Sequence, residues 1–159
     1  MKRLYIAYGS NLNLQQMAKR CPTAKVYGKG ELKDYRLLFK GVPNNAYATI
    51  ELFKGAKVPV LVWEVKPKDE KALDLYEGFP NFYYKKDLEV ELESGEILTA
   101  MVYIMTNKIK DRINLNLPSE RYLRIVKEGY TAAGFDIGFI EDALKVSAED
   151  IGENNSYKL

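Results

Sequence analysis

The chain has 159 residues, 47% hydrophobic and 29% charged, the balance of a single globular domain large enough to bury a core without disulfides or a structural metal. Its 24 basic and 22 acidic residues leave a formal charge of +2 with the basic ones scattered, so nucleic acid is not an expected partner. The chain contains no histidine, which removes Ser/His and Cys/His nucleophile pairs and the usual ligands of a catalytic zinc; proton transfer falls to Asp, Glu, Lys or Tyr, and no metal or cofactor is expected.

The first element is a strand. Tyr5, Ile6 and Tyr8 have β-branched and aromatic character, and Gly9, Ser10 and Asn11 form the turn after it. A helix follows, with Leu14, Met17, Ala18 and Cys21 as its apolar stripe and Asn13 and Gln16 at capping-box spacing. Cys21, the single cysteine, sits on that stripe as a core thiol. Free backbone NH groups at such a turn suit a carboxylate or a developing oxyanion. From these residues alone, an anion site and plain architecture are both open. The apolar run ends at Gly9, too short for a signal segment, and no stretch approaches the length of a membrane span, so a cytoplasmic protein with no membrane partner is expected.

Residues 24–40 read as two strands or one bent one. Pro43-Asn44-Asn45 marks a turn, 46–53 a strand, Gly55-Ala56-Lys57 a further turn, and 58–65 a largely buried strand carrying Glu64 on an apolar face. Pro67 and Asp69 open a helix that Gly78 closes. Residues 83–92 and 97–105 alternate about a Ser94-Gly95 hairpin signal. Pro118 sits at the start of the clearest helical stripe, Tyr122, Ile125, Val126, Gly129, Tyr130 and Ala133, which Gly134 ends. A short helix over about 137–146 follows. The domain is placed at 1–147, with 148–159 as a polar C-terminal tail. Six or seven strands with four helices and one clear βα crossover predict an α+β fold, a mostly antiparallel sheet that can close into a small mixed barrel.

One residue breaks its local rules. Glu77 occupies the last turn of its helix, where the dipole disfavours a carboxylate by some tenths of a kcal/mol, and it follows Leu73 by four residues on the same face. If Leu73 points inward, Glu77 does too, and burial together with the helix field raises its pKa toward that of a general acid or base. A frayed final turn with a solvated Glu77 is the competing reading.

Tyr8-Gly9-Ser10-Asn11-Leu12 and Leu73-Asp74-Leu75-Tyr76-Glu77-Gly78 together resemble the gamma-glutamylcyclotransferase family, with its AIG2-like and BtrG-like branches. Tyr84 on the next strand, Tyr103-Ile104-Met105, and the helix start Pro118-Ser119-Glu120-Arg121-Tyr122 extend the resemblance over nearly the whole chain. It implies a small mixed barrel with flanking helices and intramolecular cleavage of a γ-glutamyl amide, releasing 5-oxoproline and a free amine. It also implies roles. Glu77 matches the catalytic glutamate, while Tyr5, Ile6, Ala7, Tyr8, Gly9, Ser10 and Asn11 match the substrate loop. Tyr84, Tyr103 and Tyr122 would line the substrate site, although packing alone also accounts for Tyr122 and Tyr103. The implied partner is a small γ-glutamyl compound, and the protein would be a monomer or homodimer. Two other functions stand beside this one: a catalytically silent binding or interaction module on the same fold, and a hydrolase pairing Glu77 with Glu64.

Overall fold

The computed structural model describes residues 2–107 and 114–156. Strand β1 (Arg3–Ala7) leads through a single 3-10 turn (Ser10–Leu12) into α1 (Leu14–Arg20). Two long strands, β2 (Lys25–Val42) and β3 (Asn45–Val65), are followed by α2 (Pro67–Glu77), the β4 (Tyr83–Leu92) and β5 (Ile97–Met105) ribbon, α3 (Glu120–Ala133) and α4 (Gly138–Ser156). The strands close into a barrel in the order β1, β3, β2, β4, β5, and the parallel pairing of β1 with β5 at Tyr5↔Met101 and Ile6↔Val102 completes the ring.

The expected mixed barrel with flanking helices is present, with five strands in place of six or seven. Gly55 does not turn the chain. It has φ 87°, its NH donates to Asp34 Oδ1 at 2.9 Å, and Asp34 itself has φ 65°. The pair forms an irregularity inside one continuous hairpin, with a register shift between Lys33 and Tyr35, so two expected strands are one. Of residues 24–40, all from Lys25 onward belong to a single strand, shifted in register between Val26 and Gly28. The real reversal falls at Pro43-Asn44, where Val42 pairs with Asn45 and Asn44 takes φ 60°.

The last helix also exceeds expectation, running Gly138–Ser156 where about 137–146 was expected. Polar residues after Ala148 gave the appearance of a tail, yet nothing between Ala148 and Ser156 breaks a helix as Pro would, and buried Ser147 donates its hydroxyl to Ala143 O within it. Residues 157–159 of the expected tail lie outside the described residues.

On β1, Tyr5, Ile6 and Ala7 are all buried, against the simple alternation of a half-exposed strand. The first helix carries a narrower stripe than expected: Met17 and Cys21 are buried, while Leu14 is 48% exposed and Ala18 is exposed. Cys21 is a buried free thiol whose pKa burial pushes up to about 11, as suits a core residue. Helix α3 lies against the 3-10 turn so closely that a Cβ at Gly129 would stand 2.7 Å from the Leu12 backbone. Only glycine permits that approach.

Candidate active site

Helix α2 starts at Pro67, and Asp69 Oδ2 accepts the NH of Lys66 at 3.0 Å and the hydroxyl of Thr23 at 2.6 Å. It ends at Gly78, whose φ of 63° and ψ of 39° form a left-handed cap. The final turn is therefore closed rather than frayed. Leu73 is fully buried, and burying a leucine stabilises by roughly 2 to 3 kcal/mol, well above the tenths that an acid at the helix C-terminus costs. The larger effect wins. Leu73 turns inward and carries Glu77 with it.

Glu77 forms one wall of a cavity of about 430 Å³. Gly9, Ser10 and Asn11 line the same cavity, Tyr5, Tyr8 and Tyr103 contribute buried side chains, and Tyr47, Ala48, Tyr83 and Tyr122 contribute from β3, β4 and α3. Leu75, Tyr76, Phe82 and Arg121 stand at the exposed rim. Among the described lining residues Glu77 is the only carboxylate and Arg121 the only cation. Glu77 is part-buried, and desolvation pushes its pKa from 4.5 to about 7, with the Arg20 guanidinium opposing the rise. Its charge reaches the surrounding phenols. Burial first, and the negative Glu77 second, hold Tyr5 and Tyr8 well above the usual phenol range.

Hydrogen bonds fix the tyrosines individually. Tyr8 donates to Tyr103 O at 2.6 Å, and Tyr103 donates to Asp74 Oδ1 at 2.6 Å. Lys85 Nζ lies 3.0 Å from that carboxylate and 2.7 Å from Glu70. The Tyr5 ring packs edge-on against Tyr103, with centroids 5.7 Å apart, and its hydroxyl accepts from the Asn11 amide at 2.8 Å. Asn11 Oδ1 in turn accepts from Arg20, whose guanidinium lies 3.4 Å over the Tyr76 ring. Ser10 and Tyr76 share a hydroxyl contact of 2.8 Å, tying the turn after β1 to the end of α2. On the far wall the Ala48 backbone is held at both ends, its NH donating to Tyr122 Oη at 3.1 Å and its carbonyl accepting from Tyr83 Oη at 2.8 Å. Because Tyr122 Oη is an acceptor there, its own proton is available to the cavity.

Of the residues singled out from the sequence, Glu77, Tyr5, Tyr8, Gly9, Ser10, Asn11, Tyr103 and Tyr122 converge on this cavity. Ile6 and Ala7 are buried in the core beside it and do not line it. Tyr84 lies outside it and is 39% exposed; its neighbour Tyr83 lines the wall. The two faces of β4 exchange cover along the strand, so that Val90 and Leu92 bury one face while Tyr83 and part-buried Lys85 bury the other, where Lys85 meets α2. Alternation counted back from Val90 and Leu92 would put Tyr84 rather than Tyr83 on the covered face. Glu64 is remote from Glu77: it pairs with Lys2 at 3.4 Å beside a separate small hollow, which removes the paired-carboxylate hydrolase. Arg20, Tyr76, Asp74, Tyr47 and Arg121 were not anticipated. Among them Tyr76 and Asp74 lay within the same segment as Glu77, and Arg121 lay within the helix-start segment that ends in Tyr122.

A small closed barrel holding one carboxylate in a tyrosine-lined cavity that a backbone turn also lines defines an enzyme site for a small molecule. Residues 5–124 match the family model described as gamma-glutamyl cyclotransferase, AIG2-like, and the chain belongs to this family and is an enzyme of that kind. The human gamma-glutamylcyclotransferase is 28% identical over 155 residues, covering 92% of this chain and 80% of the human protein. The bovine gamma-glutamylcyclotransferase is 28% identical over 156 residues, with 92% and 80% covered. A solved gamma-glutamyl cyclotransferase structure superposes with a TM-score of 0.75 at 27% identity, covering 90% of this chain and 86% of that one. No helix among the described residues is long and apolar enough to cross a membrane.

Proposed function

We propose that the protein cleaves a γ-glutamyl amide by attack of the substrate's own α-amine, releasing 5-oxoproline and a free amine, with Glu77 as the proton carrier. The observation that carries this is that Glu77 lines the same cavity as the Gly9-Ser10 turn, with burial pushing its pKa up to about 7. A carboxyl so poised is about half ionised near neutrality, the condition for one group to serve as base and then as acid.

The substrate enters with its α-amine protonated. Glu77 takes one proton, the freed amine forms the bond to the γ-carbon, and a tetrahedral oxyanion develops. Protonated Glu77 then donates to the departing nitrogen as the amide C–N bond breaks, and the ring nitrogen sheds its second proton, which reaches the released amine through water. Ring closure is intramolecular, so holding the folded conformer supplies much of the acceleration. The backbone at Gly9 and Ser10, with the available Tyr122 proton, would receive the anionic oxygen; one such donor contributes about 3 kcal/mol. A cytoplasmic setting is part of the same reading, in keeping with Cys21 being a buried free thiol.

The test is 5-oxoproline release from a panel of γ-glutamyl amino acids and γ-glutamyl amines. Glu77→Gln should lose at least about a hundredfold in rate while its circular dichroism is unchanged. Wild-type turnover by that variant refutes the mechanism, and tight binding of the panel without turnover by the wild-type chain favours a silent binding module.

A further inference from the structure

Both reacting atoms of such a substrate, the α-nitrogen and the γ-carbon, belong to its glutamyl part. The proton carrier must reach the α-nitrogen and later the departing nitrogen, so the glutamyl part lies at the depth of Glu77, against buried Tyr5, Tyr8 and Ser10. The carbon bearing the α-amine also bears the α-carboxylate, which is therefore held at that depth too. Whatever follows the scissile nitrogen must point to the mouth. There Leu75 is 85% exposed and Tyr76 and Phe82 are part-exposed, and the same cavity is lined by exposed Arg121, in the first turn of α3.

Arg121 is the only cation among the described residues lining the cavity, it is exposed, and no carboxylate of a described residue lies within ion-pair distance of it. Two other cations that contact residues of the cavity wall are already engaged: Arg20 is held by Asn11 and Gln16, and Lys85 by Glu70 and Asp74. A guanidinium left unpaired at the mouth of a cavity presents a planar fork matched to a carboxylate. We propose that Arg121 sets specificity by reading a carboxylate on the leaving group, so that γ-glutamyl amino acids are preferred over γ-glutamyl amines and amides that lack that charge. This rests on the cyclotransferase reading above.

The experiment compares kcat/KM for γ-L-glutamyl-L-alanine and the near-isosteric γ-L-glutamyl-L-alaninamide in wild type, Arg121→Gln and Arg121→Lys. The wild-type ratio of acid to amide should be about tenfold or more, as for a partly solvated charge-assisted hydrogen bond; Arg121→Gln should bring it close to one, and Arg121→Lys should keep part of it. Turnover with the same ratio in wild type and Arg121→Gln overturns the assignment. An equal fall on both substrates also overturns it, by placing Arg121 on the α-carboxylate that both share. Absence of 5-oxoproline from either substrate and from a wider γ-glutamyl panel with wild type is a different result and overturns the cyclotransferase reading itself.

Discussion

Replacing Glu77 by Gln should make the protein more stable at alkaline pH while removing its activity. The ordinary carboxyl pKa of 4.5 is pushed to about 7 in the folded chain, so between these values the folded state holds a proton that the unfolded state has lost. Stability therefore falls as pH rises through this window, the reverse of the usual ion-paired carboxylate. At about 1.4 kcal/mol per pH unit the full cost above about pH 7 is about 3 kcal/mol, and water in the cavity lowers it toward about 1 kcal/mol. Gln keeps the shape without the charge. Thermal unfolding of both proteins from about pH 4 to pH 8.5 should show no difference below about pH 4.5 and a variant melting about 3 to 10 °C higher above about pH 7.5. A difference that does not vary with pH, or a variant less stable at about pH 8, would refute the claim that Glu77 is held ionised at a cost.

Arg20 opposes the rise in the Glu77 pKa, so Arg20→Gln should move the acid limb of the kcat/KM profile to higher pH, lowering activity near neutrality about threefold to tenfold and restoring it above about pH 9. A uniform loss at every pH would mean that Arg20 matters only through Asn11 and Tyr76. A Cβ at Gly9 would stand 3.1 Å from Ala48 Cβ and 3.4 Å from Tyr122 Oη, so Gly9→Ala should force the walls apart and cut kcat/KM at least about tenfold, with about 1 kcal/mol lost in urea unfolding. Unchanged kinetics would show that the turn yields freely. Tyr122→Phe removes the acceptor of the buried Ala48 NH and should cost about 1 to 3 kcal/mol by urea denaturation, and an unchanged midpoint would show that water takes its place.

What could be read from the sequence divides along a physical line. The turn after β1 was legible because strand formers, turn formers and the Asn13-Gln16 cap are all local, and the Asn13 side chain does accept the NH of Gln16 at 3.1 Å. Glu77 was legible because an acid in the last turn of a helix, four residues after a leucine, conflicts with its own element, and such conflict is visible without knowing the neighbours. The long hairpin was not legible: whether Gly55 turns the chain or sits within a strand depends on Asp34, 21 residues away, which accepts its NH. Gly55 reads the same in either case.

The same line explains why the sequence singled out Glu77 and missed the side-chain pairs around the cavity. Tyr76 meets Ser10 across 66 positions, and Tyr103 meets Asp74 across 29, so each role belongs to a pair that only closure of the barrel creates. Arg121 shows the limit most clearly. Within α3 it is an ordinary first-turn residue, and its significance comes from what surrounds it: the only cation among the described cavity-lining residues, at an exposed rim, with no ion-pair partner among the described residues. A cavity carboxylate can thus be signalled by a short segment with internal contradictions. The exposed rim of the cavity is built from side chains of α2, the loop after it and α3, and these become one surface only in the folded chain.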